Sequence, residues 1–343
     1  MKNNDFTLIL EAGVNHGGNF KIAIKLIEAA AESGADYVKF QSYTSNYLAA
    51  KNSPSYWDLS EEPTKSQIEL FSKYDSFTRE DYFNLAGVSK SLGIGFMSTC
   101  FDNNWVDCLD PILTSFKIAS ADITNFQLLS KIANKNKPII LSTGAATFSE
   151  IDAAITVIRR YNLNKITLLH CVLNYPTASK NASLGRISSL SKTFPEYEIG
   201  YSDHTKPADS MKAIQIAYNL GAKVFEKHFT LDKSQKGNDH YHSFDKDDVK
   251  TLIVNLKTNY LMTDYSEDKF IDLQLDARNN ARRGLYALKD LPIGHVLTEN
   301  DIIPLRPVLK ENGYNADQID RIVGKILKRD ILAGEPILGS FLN

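Results

Sequence analysis

From Thr7 to about residue 260, short apolar runs alternate with longer stretches whose apolar positions recur at helical spacing. Eight of the runs read as strands, at 8–12, 37–41, 95–99, 115–118, 138–142, 165–170, 197–200 and 223–226. Helix-like segments at 21–33, 79–92, 126–135, 150–161 and 207–220 lie between them. Ser149 ahead of Glu150 and Thr78 ahead of Arg79 are start signals, and Gly34 and Gly221 are stop signals. Eightfold strand–helix alternation predicts an α/β chain built as a parallel (β/α)8 TIM barrel. An open doubly wound sheet is the competing architecture, and it requires one of the eight strands to be false.

The pattern breaks in three places. The connection over 42–77 is long, polar and rich in Ser, Tyr and Pro, as expected of a loop covering the active face. Residues 261–280 mix charges with little periodicity and read as a linker after a barrel domain at 1–260. Over 281–343, short segments with turn signals (Leu291-Pro-Ile-Gly, Ala333-Gly-Glu-Pro) predict a small, mostly β module. It is small enough to need docking on the barrel or on a partner subunit.

Composition narrows the function. A 43% hydrophobic and 23% charged chain is ordinary globular material, and 343 residues suit one large and one small domain. The net charge of −2 leaves no basic field for nucleic acid or an anionic membrane, so an anionic ligand must be held by local Lys, Ser and backbone N–H groups. No apolar stretch approaches the ~20 residues of a membrane span, and residues 1–5 show no signal-peptide pattern, so a cytoplasmic protein is expected. Cys100, Cys108 and Cys171 lack metal-ligand spacing and read as free buried thiols.

In a (β/α)8 barrel, chemistry sits at the C-terminal ends of the strands. Read in order, those ends give Glu11 with Asn15-His16-Gly-Gly, then Lys39-Phe-Gln41, then Ser98-Thr99. Lys117-Ile-Ala-Ser120 with Asp122, Ser142-Thr-Gly and His170-Cys171 with Asn174-Tyr175-Pro follow. Ser202-Asp203-His204, Glu226-Lys227-His228 and Asp239-His240 close the series. His204 and His228, each just past a strand-like run, suit a divalent metal. Lys39, Lys117, Thr99, Ser120, Ser142 and Ser202 together suit a phosphate and a carboxylate. Singly, each has a plainer reading: Lys39 as a solvated strand-end lysine, Glu226 as an ion-pair partner of Lys227, and His170 as a hydrogen-bonded core residue. His16 is left open.

These strand ends carry a resemblance. The stretches Glu11-Ala-Gly-Val-Asn-His-Gly-Gly, Val38-Lys-Phe-Gln, Phe116-Lys-Ile-Ala-Ser and Pro138-Ile-Ile-Leu-Ser-Thr-Gly resemble the sialic acid synthase family. So do Leu169-His-Cys, Tyr175-Pro-Thr, Gly200-Tyr-Ser-Asp-His-Thr, Glu226-Lys-His-Phe-Thr and Gly237-Asn-Asp-His, in the family's order. The tail from Arg282-Arg-Gly-Leu-Tyr-Ala to Gly334-Glu-Pro-Ile resembles its antifreeze-like (SAF) domain. The resemblance implies a synthase that makes a nonulosonic acid from phosphoenolpyruvate and an amino sugar. It implies Mn2+, Mg2+ or another divalent metal on His204 and His228, and phosphoenolpyruvate on the lysine and hydroxyl set named above. It also implies a sugar met by Gln41, Asp122, Tyr175 and Asp239. A homodimer with swapped SAF domains is implied too, with Arg306 reaching the partner's sugar.

Glu11 and Glu226 are expected to manage charge and protons beside Lys39 and Lys117, and Asp203 to support the His204 loop. Leu173, Asp122 and the Val308-Leu-Lys-Glu-Asn-Gly turn after Arg306-Pro307 depart from the bacterial N-acetylneuraminate synthases. The sugar is therefore open between N-acetylmannosamine, a 2,4-diacetamido-trideoxyhexose and another aldose. Three rival readings remain. They are a synthase of the Kdo 8-phosphate type acting on a sugar phosphate, a metal-free aldolase with a Schiff-base Lys39 or Lys117, and a carbohydrate-binding protein on an inactive barrel.

Overall fold

The structure, a computed structural model, describes residues 5–60, 62–237, 239–309 and 312–343. Residues 1–4, Asn238 and the pair Lys310 and Glu311, all drawn on in the sequence reading, lie outside that set. Eight parallel strands close into a barrel in chain order. They are β1 (Thr7–Gly13), β2 (Tyr37–Ser42), β3 (Gly95–Cys100), β4 (Phe116–Ile118), β5 (Ile139–Ser142), β6 (Ile166–His170), β7 (Glu198–Asp203) and β8 (Val224–His228). β1 pairs with β2 on one side and with β8 on the other, running from Thr7 opposite Val224 to Glu11 opposite His228. That closure excludes the doubly wound sheet.

The barrel has two apolar layers. Outside, the buried faces of helices such as Phe20–Ser33 (Ala23, Leu26, Ile27, Ala30) pack on alternate strand residues. Inside, Ile9, Met97, Leu169 and Val224 form a plug. Gly200 lets two strands close over it: a Cβ there would lie 2.2 Å from the Val224 carbonyl oxygen and 2.4 Å from Leu169. The plug seals the interior below the strands' C-terminal ends, so polar groups above it can meet only at the mouth.

Several boundaries differ from expectation, three of them at the site or at a cap. β7 and β8 run on through Ser202-Asp203 and Lys227-His228. Barrel strands are covered on both faces, so a charged residue does not end one if its charge finds a partner. The helix expected at 150–161 is Phe148–Arg159, capped by Thr147 and not by Ser149. Glu150 lies three residues after Thr147, and the two side chains satisfy each other's backbone N–H groups in a capping box. The covering connection holds two short helices, Ser45–Leu48 and Gln67–Tyr74.

The chain divides into two compact units, residues 1–262 and 263–343. Residues 261–280, expected as a linker, contain the end of the helix Lys246–Thr263 and the exposed helices Glu267–Asp272 and Leu275–Ala281. Beyond them β9 (Gly284–Ala287) and β10 (Ile302–Leu305) pair antiparallel over a core that includes Leu285, Leu297, Ile322 and Ile337. Among the described residues no helix is long and apolar enough to cross a membrane.

Candidate active site

A cavity of about 380 Å³ opens at the barrel mouth. Strand register sets its walls: Glu11 stands opposite Lys39 on one side and His228 on the other, Thr99 opposite Lys117, and Ser202 opposite Glu226. Glu11, Lys39, Thr99, Lys117, Ser120, Ser142, Ser202, Glu226, His204 and His228 all line this one space. Gln41, Asp122, Tyr175 and Asp239 line it as well.

One wall is a buried array of four charges. The Lys39 ammonium bonds Glu11 and donates to Thr99 Oγ1 at 2.9 Å. Lys117 Nζ donates to Ser142 Oγ at 2.7 Å. Glu226 accepts from Ser202 at 3.2 Å, while its other oxygen stands 3.9 and 3.8 Å from the two ammonium groups without a hydrogen bond. Gln41 Nε2 holds Glu11 Oε1 at 2.9 Å. Burial pushes both carboxyls up. For Glu11 burial wins, and its pKa is raised. For Glu226, Lys117 and Lys39 overcome it, and the pKa is lowered. Burial pulls both lysines down, but Glu11 and Glu226 lift Lys39 above its usual value, whereas Lys117 stays below. Two like pairs held at different affinities are what proton transfer needs.

Beside this array the wall is imidazole. His204 Nδ1 faces the Val172 carbonyl at 2.7 Å, so that nitrogen carries the proton and Nε2 keeps its lone pair. Its ring lies 5.5 Å from that of His228, and Tyr175 packs against it at 4.3 Å. Burial, then the neighbouring His228, lowers the His204 pKa to about 4, which leaves it neutral at pH 7. Asp239 Oδ2 comes 3.2 Å from His228 Nδ1. Burial alone would raise the Asp239 pKa, but His228 beside it brings it below the usual carboxylate range.

Sequence reasoning missed His242, which lies buried behind this wall with its ring 4.6 Å from that of His228. Ligand atoms of His228, Asp239 and His242 lie within 4.8 Å of one another. Imidazoles with a carboxylate are a donor set that fits a divalent ion of the Mn2+ to Zn2+ type. Asn15 secures the turn, accepting from the Asp239 N–H at 3.1 Å and donating to Phe229 O and Ser243 Oγ.

The other residues keep or change their sequence reading one by one. Glu226 does not pair with Lys227. Consecutive strand residues face opposite ways, and Lys227 turns outward to Asp203 at 2.7 Å. Asp203 also accepts from Tyr201 and Thr205, and in this way it braces the strand end before His204. His170 bonds the Ala182 carbonyl at 2.8 Å as a core residue, and His16 stacks on Phe77. Cys108 is only half-buried. Cys171 lines the cavity and contacts Ser120 Oγ at 2.8 Å, with its thiol pKa raised by burial. Arg306 belongs to the second unit, exposed after β10.

Fold and site together define a (β/α)8-barrel enzyme followed by an SAF domain, which matches residues 282–343. The chain belongs to the NeuB family, whose model matches residues 26–267. It is 35% identical over 338 residues to the N,N'-diacetyllegionaminic acid synthase of Legionella pneumophila, covering 96% of this chain and 93% of the relative. To the protein of the same name from Campylobacter jejuni it is 37% identical over 335 residues, covering 96% and 98%. Among solved structures it resembles the N-acetylneuraminic acid synthetase of Leptospira borgpetersenii, with a TM-score of 0.70, 30% identity, and 81% of this chain and 92% of that chain covered.

Proposed function

We propose that this barrel condenses phosphoenolpyruvate with an open-chain N-acyl hexosamine to give a nonulosonic acid and phosphate. The observation that carries the reading is the four-charge array of Glu11, Lys39, Lys117 and Glu226, buried in one cavity with the imidazole wall. Lys39 and Lys117 bind the phosphate and carboxylate. Because each lysine donates to a hydroxyl, Thr99 and Ser142 keep their own O–H groups free for the ligand, whereas the Ser202 O–H already donates to Glu226 and Ser120 Oγ contacts the Cys171 thiol. A divalent ion such as Mn2+ or Mg2+ at His204 and His228 would polarise the sugar aldehyde as a Lewis acid.

C3 of phosphoenolpyruvate bonds to the aldehyde carbon, whose oxygen takes up a proton. Water adds at C2 and loses a proton, and the C2–O bond to phosphate breaks as the C2 hydroxyl passes its proton to the departing phosphate, leaving a ketone. Glu226, kept ionised by the lysines, faces the cation at C2 and the incoming water. Glu11, with its raised affinity, holds and returns the proton.

The sugar is unphosphorylated in this reading. Among the described lining residues, Lys39 and Lys117 are the only lysine or arginine side chains, and both already face carboxylates. A Kdo 8-phosphate type substrate would bring a second phosphate, and no further lysine or arginine among the described lining residues of this cavity stands ready to meet it. Leu48, Trp57, Leu70 and Leu173 line the outer cavity and suit acetyl methyls and a deoxy carbon. That fits a 2,4-diacetamido-trideoxyhexose, as does the diacetylated product in the names of two relatives. Gln41, Asp122, Tyr175 and Asp239 would meet its polar edge. A homodimer with exchanged SAF domains, bringing Arg306 to the partner's sugar, completes the proposal.

The test is phosphate release by metal-stripped protein with Mn2+ restored, offering N-acetylmannosamine, 2,4-diacetamido-trideoxyhexoses and arabinose 5-phosphate in parallel. Mn2+-dependent release with a diacetamido sugar is expected. Release with arabinose 5-phosphate alone moves the protein to the sugar-phosphate class. Borohydride trapping of Lys39 or Lys117 without metal would replace the mechanism by the Schiff-base one.

A further inference from the structure

We propose that His242 is a third imidazole ligand of the metal site, acting with Asp239 beside His228; this rests on the metal-dependent reading above. His242 is fully buried, and neither of its ring nitrogens has a hydrogen-bond partner. A buried imidazole normally satisfies at least one nitrogen, because leaving it bare forfeits its hydration without return. The surroundings offer no substitute. Tyr241 and Tyr175 present ring faces or edges at 4.6 and 5.7 Å. The nearby Lys227 ammonium is taken by Asp203 and the Thr205 carbonyl. The groups His242 does approach are the other two potential ligands, with Asp239 Oδ1 at 3.8 Å and the His228 ring at 4.6 Å.

The backbone explains the convergence. Residues His240–His242 form a 3-10 turn in which the His242 N–H bonds the Asp239 carbonyl. Side chains three apart eclipse in such a turn, so Asp239 and His242 face the same way. Asn15 pins the start of the turn beside β8.

The experiment is Mn2+ titration of the metal-stripped full-length protein, read by the electron paramagnetic resonance of free Mn2+. Unmutated protein is compared with His242→Ala and His242→Gln, and melting curves check that each variant folds. Affinity should fall by about 10- to 100-fold or more. Electron spin echo modulation on the unmutated Mn2+ protein provides a second readout. Nitrogen coupling from three imidazoles is expected, and the same coupling left unchanged in folded His242→Ala would overturn the assignment. So would an Mn2+ affinity unchanged within twofold in both folded variants, or no Mn2+ binding by unmutated protein. Phosphate release is scored apart. Tight, His242-dependent Mn2+ binding without turnover sinks the synthase reading alone, and turnover with His242-independent binding sinks this assignment alone.

Discussion

Glu226 and Lys227 are neighbours in the chain, both buried and both charged, yet they serve opposite faces of β8. Lys227 faces outward, where Asp203, the Thr205 carbonyl and the face of Phe244 surround its ammonium. Asp203 in turn is filled by Tyr201 and Thr205. Glu226 faces inward with one oxygen unbonded, and two lysines stand nearly 4 Å away. The closed pair has nothing left to give a ligand. The open array holds buried charge at a separation that a bound anion could fill. In a barrel where both sets are equally hidden, it is the unmet bonding capacity, more than burial, that separates chemistry from scaffold.

Breaking the closed pair should cost the most. Lys227→Met leaves the Asp203 carboxylate buried alone, and a loss of about 3–5 kcal/mol in unfolding free energy is expected from denaturant titration. A loss under about 1 kcal/mol would erase the distinction drawn here. Lys117→Met on the open side should leave the denaturation midpoint near that of the unmutated protein. It should lower kcat/KM for phosphate release by about 10²–10³-fold, as for loss of one preorganised charge donor. Equal damage to stability and activity by both variants would show the two sets to be alike.

Acid gives the smallest and most diffuse effect. Burial lowers the His16 pKa to about 4 from an ordinary 6.5. The unfolded chain therefore binds this proton more tightly, and the contribution to stability is whole above pH 6.5 and lost as pH falls towards 4. Melting temperatures of metal-free protein should drop across that window, and less steeply for His16→Gln. Identical slopes would remove His16 as a source.

Most of this was legible in the chain because a parallel barrel repeats one signal eight times. A run of apolar residues followed by chemistry-bearing ones marks each strand end, and the end residues of every strand reach a single mouth. What the sequence hid depends on pairing across space. The extensions of β7 and β8 look polar and strand-ending until Asp203 and Lys227 are seen to neutralise each other. Ser149 and Thr147 are equally good caps, and only the reciprocal bond with Glu150 chooses Thr147. His242 lies in an irregular loop with no strand to announce it. Its three-residue offset from Asp239 was the available signal, and it has force only if that loop is a 3-10 turn.

The seam between β1 and β8 carries a consequence for how the protein is made. Asn15 must find the Phe229 carbonyl, 214 positions further on, and Glu11 must find His228 over a similar span. During synthesis the first strand waits for the last, so no partial chain contains the assembled cavity. Activity appears only when the ring shuts, and a product truncated before β7 ends would carry Glu11 and the two lysines without Glu226 or the imidazoles. The slowest contact to form, by the loop it must close, is also the one that brings the two walls together.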